Sequence, residues 1–110
     1  MRITMDELEY DENQRVLYHG APYTGTAWEF YADGDVMTEQ NFFKGIPHGV
    51  SRAFYHGGQA ESEREHEYGR RHGPWRTWHE NGQLGEELIY DRGKIVSREA
   101  WAEDGTSVDW

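Results

Sequence analysis

Side chains able to do chemistry are plentiful in this chain: 21 Asp and Glu, 11 Lys and Arg and 6 His among 110 residues, with no Cys. Without a thiol there is no thiolate nucleophile, disulfide or thiolate metal site. The histidines raise metal binding and acid–base chemistry. His48 and His72 stand 24 residues apart, each just before a glycine. In equivalent places of adjacent hairpins they would lie about 10 Å apart, whereas zinc holds each ligand at about 2 Å. Both are expected to be turn residues that hydrogen-bond locally. His66 alternates with Glu65 and Glu67, so its neighbours point to the opposite face of a strand. His56, His79 and Glu80 fall near hairpin tips and are expected in solvent. Paired carboxylates could hydrolyse a substrate, but only in a cleft that fixes their separation and shifts one pKa. No Gly-rich phosphate loop joins a strand to a helix, and no serine sits in a nucleophile elbow. The reading is a binding protein with no catalytic residues, no metal and no cofactor.

Charge narrows the partner. The formal net charge is −10. Phosphate binding relies on Lys and Arg, and anionic lipid attracts basic segments, so neither nucleic acid nor membrane is expected. A basic protein is the natural complement. Hydrophobic content is 35%, low for a globule, yet aromatic content is 15%, which argues against disorder. Both fit a thin protein whose aromatics lie on a sheet. The start, Met1 to Glu9, lacks the apolar stretch of a signal peptide, and no run reaches transmembrane length. The expected location is cytoplasmic.

The elements that position these groups are written in the glycines. Gly25, Gly49 and Gly73 form one series of period 24; Gly34, Gly58 and Gly82 form a second; Gly45, Gly69 and Gly93 form a third. A unit this short cannot enclose a core and must stack on its neighbours. Each begins with a short aromatic run ending in Asp33-Gly34, Gly57-Gly58 or Asn81-Gly82, dipeptides that favour the two-residue type I′ turn of a hairpin. The fold expected is therefore all-β: an elongated antiparallel meander of stacked hairpin repeats of 24 residues. The single domain, 1–110, divides into an N-terminal half-unit at 1–24, full repeats at 25–47, 48–71 and 72–95, and a C-terminal cap at 96–110 where Trp110 covers the last hairpin. Charge on the N-terminal arm (Asp6, Glu7, Glu9, Asp11 and Glu12) is expected to blunt one sheet edge. Open edges permit a homo-oligomer without requiring one.

Tyr23-Thr24-Gly25-Thr26, the run Trp78-His79-Glu80-Asn81-Gly82-Gln83-Leu84, and the junctions Pro47-His48-Gly49 and Arg71-His72-Gly73 resemble MORN-variant repeats. Such repeats make up a family of small bacterial antitoxins and immunity proteins against polymorphic toxins. The resemblance spans roughly Tyr18 to Gly105. It implies a protein that binds and neutralises a cognate toxin; the alternative it leaves is a structural scaffold or interaction module. Were the toxin a nuclease, an acidic protein could occupy its cationic active site as a phosphate mimic.

A two-residue turn at Asp33-Gly34 pairs Tyr31 with Val36, Phe30 with Met37 and Trp28 with Glu39. Applied throughout, it places Tyr31, Val36, Phe42, Tyr55, Ala60, Trp75, Leu84, Leu88 and Tyr90 on a packed face. The opposite face receives Phe30, Phe54 and Trp78, flanked by Trp28, Arg52 and Arg76 and by Glu39, Glu63 and Glu87. Arg52 and Arg76 would neutralise Glu63 and Glu87, leaving Glu39 opposite Trp28, Glu61 opposite Phe54 and Glu65 opposite Val50 without ionic partners. The partner-binding set read from this register is Trp28, Phe30, Glu39, Phe54, Glu61, Glu63, Glu65, Trp78 and Glu87: aromatic anchors within a steering field of carboxylates.

Overall fold

Alternating aromatic and polar residues between regularly spaced glycines produce strands throughout. The computed structural model describes residues 3–108, so Trp110 lies outside them. A single 3₁₀ turn, Met5–Glu7, precedes three short strands: β1 (Glu9–Tyr10), β2 (Val16–Tyr18) and β3 (Ala21–Pro22). Three hairpins follow. The first is β4 (Gly25–Phe30) with β5 (Val36–Phe43), followed by the short β6 (Ile46–Pro47). The second is β7 (Gly49–Phe54) with β8 (Ala60–Glu67), followed by β9 (Arg70–Arg71). The third is β10 (Gly73–Trp78) with β11 (Leu84–Asp91), and a shorter fourth joins β12 (Lys94–Trp101) to β13 (Ser107–Val108). The large sheet runs β13-β12-β11-β10-β8-β7-β5-β4, all antiparallel, with β6 on β5 and β9 on β8. The expected all-β meander is therefore what forms. Its extents are 48 × 36 × 19 Å and its radius of gyration 15.5 Å, against about 13 Å for a compact chain of this length. Among the described residues no helix is long and apolar enough to cross a membrane.

The turns differ from expectation in an instructive way. At Asp33-Gly34 the Gly34 N–H donates to the Tyr31 carbonyl and the Tyr31 N–H to the Asp35 carbonyl. Gly34 has φ 96° and Asp33 is not left-handed. This is the three-residue loop, a type I turn closed by a glycine bulge. The Asp33 carboxylate favours it by accepting the Asp35 N–H at 3.0 Å, as Asn81 does for Gln83 and Asp104 for Thr106. The primed two-residue turns lie at the other end of the strands, at Lys44-Gly45 (φ 51° and 82°), Tyr68-Gly69 and Arg92-Gly93. A second bulge then follows each tip, so Phe30 meets Val36 while Trp28 still meets Glu39. The two irregularities cancel. Pairings remote from the tip match the two-residue register, and those beside it are shifted by one.

Successive hairpins are fastened by repeated bonds. Tyr31 Oη donates to the Phe54 carbonyl at 2.7 Å and Tyr55 Oη to that of Trp78 at 2.8 Å; His79 Nε2 meets that of Trp101 at 2.9 Å. At the opposite margin the N–H groups of Gly45, Gly69 and Gly93 donate to the carbonyls of Tyr23, Pro47 and Arg71. Where Gly49 adopts φ 83°, the chain leaves the ladder and β6 separates from β7. Ser97 occupies the corresponding place in the last unit, and there β12 runs unbroken from Lys94 to Trp101. It passes through the seam between 72–95 and 96–110. Its stretch from Lys94 to Glu99 has no ladder partner on its outer side among the described residues.

One end of the sheet carries a second layer. Leu8, Val16, Ala27 and Phe42 are buried together, with Ile3, Met5, Tyr18 and Tyr23 packed around them. The N-terminal segment folds over the start of the sheet and also caps its edge: Thr4 bridges Trp28 in parallel, and the Trp28 N–H donates to the Ile3 carbonyl. That edge is thus met by backbone pairing at Trp28. Along the rest of the packed face burial is sparser, with Tyr90 buried against Trp75 in the third hairpin. Val36, Ala60 and Leu84 leave that face, carried by the tip bulges to sit opposite Phe30, Phe54 and Trp78.

Candidate functional site

On the face opposite the N-terminal layer, alternation and register bring the predicted residues into two parallel rows. The first is a ladder across five strands: Glu39 pairs with Arg52, Arg52 with Glu63, Glu63 with Arg76 and Arg76 with Glu87. The four ion-pair distances are 3.5, 3.1, 3.6 and 2.7 Å in that order. Trp28 closes the row, its Nε1–H donating to Glu39 at 3.3 Å. Glu39 is therefore not unpaired, correcting the expectation. Because the strand beyond its hairpin partner supplies Arg52, the cation that serves Glu63 serves Glu39 too. Each half-exposed pair contributes roughly 0.2–1 kcal/mol. Three carboxylates alternate with two guanidiniums, leaving the row one negative charge in excess.

The second row holds Phe30, Phe54 and Trp78, with Trp101 next in line. Trp101 was missed because its unit is one residue short; the shared fastening position, whose carbonyls accept from Tyr31, Tyr55 and His79, was the signal that could have found it. Trp28, Val36, Glu39, Phe54, Asp35, Gly57 and Gly58 line a groove of about 290 Å³. Three of the predicted residues meet there, together with Val36. Glu61 is the extra residue of the second tip bulge. Ala60, and not Glu61, stands opposite Phe54. Burial raises the pKa of the Tyr55 phenol, and the charges of Glu61 and Glu80 add to it. Glu65 stands opposite Val50 as expected, its carboxylate against the backbone of Gly73.

The histidines divide by place. His48 Nδ1 accepts the Tyr68 N–H at 3.0 Å, and its ring packs on Phe43 and Tyr68. His72 lies 3.7 Å from Glu67. His79 is held by the Trp101 carbonyl and not by solvent. His56 stacks on Tyr31, ring centroids 3.8 Å apart, and meets Asp33 at 3.1 Å. Asp33, Asp35 and His56 bring ligand atoms within 4.8 Å of one another, but these atoms are exposed and occupied by hydrogen bonds to Asp35 and Gly57 N–H. The Asp35 N–H, against desolvation and with help from His56, holds Asp33 below the usual carboxylate range.

The other face carries a different constellation. Arg64 and Arg71 lie 5.4 and 5.1 Å from the Trp75 ring centroid, and Arg71 is 5.7 Å from that of Tyr90. His66 packs on Trp75 at 5.2 Å. Its Nδ1 is buried with no hydrogen-bond partner among the described residues, an unmet demand worth about 1–3 kcal/mol. Burial first, then Arg71 and Arg64, lower its pKa, which favours the neutral ring. His66 and Arg64 line a groove of about 210 Å³ with Gln40, Asn41, Ser51 and Ser62. Against family models, curated proteins and solved structures, the chain matches none.

Proposed function

We propose that this protein is an immunity protein or antitoxin that binds a basic toxin through its aromatic and carboxylate face. The observation that carries the reading is the parallel course of the two rows: Phe30, Phe54 and Trp78 beside Glu39, Glu63 and Glu87 on one open face. Large rings on a flat surface supply area that a partner can desolvate. The carboxylate surplus, with Glu61 and Glu65 beside the ladder and a net charge of −10, supplies steering toward a cation-rich surface. The ion-paired ladder holds Arg52 and Arg76 in fixed poses, so the face is organised before it meets a partner and little side-chain entropy is lost on binding. Binding, not catalysis, is the role such a surface supports. The words toxin and immunity rest on the resemblance of the repeats; charge and surface support a basic protein partner.

The test is co-expression with a toxin encoded by a neighbouring gene. Growth is expected to return only when this protein is present, and Glu61→Lys with Glu65→Lys is expected to abolish protection while the melting temperature stays within a few degrees. Unchanged protection by that variant would remove the acidic face from the mechanism. Absence of rescue by the natural chain would remove the function itself.

A further inference from the structure

In a chain with 21 acidic and 11 basic side chains, every arginine could find a carboxylate. Arg15, Arg52, Arg76 and Arg92 do. Arg70, exposed in β9, does not; nor do Arg64 and Arg71, neither of which has a carboxylate within 4.0 Å among the described residues. Both guanidiniums instead gather about one indole, that of Trp75, and Arg71 also reaches Tyr90 Oη at 3.5 Å. A guanidinium against a ring satisfies its face but leaves its edge N–H groups available. Two like charges beside one ring repel each other unless an anion joins them. Next to them His66 keeps a buried ring nitrogen without a partner. The adjoining groove adds the hydroxyls of Ser51 and Ser62 and the amide of Gln40, with volume for a small molecule. Register places Arg64, His66 and Trp75 on the face opposite the carboxylate ladder, so this constellation is separate from the surface assigned to a basic partner.

We infer that Arg64, Arg71, His66 and Trp75 form a binding site for a small oxyanion, a carboxylate or phosphoryl group carried on a compact body that lies along the groove. The guanidinium edges take the anionic group in bidentate fashion. The imidazole supplies one further hydrogen bond, and Ser51, Ser62 and Gln40 meet the polar atoms of the body.

Isothermal titration of the full chain with benzoate and with phenyl phosphate distinguishes the two anionic groups; benzyl alcohol serves as the uncharged control. At least one anion is expected to bind, with perturbation of the Trp75 indole N–H resonance, and benzyl alcohol is not. Arg64→Gln with Arg71→Gln, which keeps much of the stem packing on Trp75, should weaken binding by tenfold or more. Arg15→Gln, at the far end, should change it less than twofold. No heat with either anion at 10 mM, on the order of the weakest useful affinity, would overturn the inference. So would equal binding by the double variant, or concentration-dependent self-association that disappears in the double variant and shows another copy's carboxylates filling the site. None of these results bears on protection against a toxin, so failure here leaves the proposed function standing.

Discussion

Glu63 lies between Arg52 and Arg76 and adds an ion pair to a seam that two hairpins also make through Tyr55, Arg64, His66 and Trp75. A double-mutant cycle on Glu63→Gln and Arg76→Leu should return a coupling of roughly 0.2–1 kcal/mol that shrinks at 1 M salt, since the pair is part-exposed. A coupling near zero would mean that the ladder is ornamental to stability. His66 gives a second prediction. Its pKa is depressed by burial and by Arg71 and Arg64, so the unfolded chain takes up a proton first on acidification. Stability from keeping this ring neutral is complete above the ordinary value of 6.5 and is lost as pH falls from there through the lower folded value. Urea midpoints at pH 7.5 and 5.5 should differ for the natural chain, and less for His66→Gln. Asp33 and Asp104 are held low by backbone or side-chain donors; what they contribute persists to more acid conditions and does not blur this window.

Hairpins were the legible elements, and their turns only half so. The period of the glycines revealed how many reversals occur and where. It did not reveal which kind, because Asp-Gly and Asn-Gly serve a type I′ turn and a type I turn with a glycine bulge equally well. Side-chain caps from Asp33, Asn81 and Asp104 decide for the latter. The I′ turns hid behind Lys44, Tyr68 and Arg92, residues that rarely announce positive φ. Glu39 has no cation opposite it within its own hairpin, and Arg52 reaches it from the next one, a pairing that the turn register alone does not reveal. The N-terminal layer had no period to betray it. At this scale the junction residue is decisive: Gly49 needs φ 83°, and the nearest atom to an added Cβ is Asn41 Cβ at 3.9 Å. The cost of Gly49→Ala is therefore conformational, about 1–2 kcal/mol, a drop of several degrees in Tm. Ser97→Ala at the corresponding extended position should shift Tm by no more than about 2 °C, consistent with an exposed surface change.

The whole molecule is a plank with unlike faces and unlike ends. Its charge is distributed so that one face carries the carboxylate ladder and the other gathers Arg64 and Arg71 around Trp75. Association with a basic partner is accordingly expected to slow as salt rises, with the on-rate falling more than tenfold between 50 and 500 mM NaCl and the off-rate changing little. Stopped-flow mixing with the rescued toxin measures both, and a salt-independent on-rate would discard electrostatic steering. The fastenings from Tyr31 to Phe54 and from Tyr55 to Trp78 recur at the same interval. An in-frame tandem copy of 49–72 would thus find its donors and acceptors already waiting on either side. Each copy would advance the tip-to-tip span by two strands, about 10 Å. Reach in such a molecule is set by counting modules, as on a ruler, without redesign of any single one.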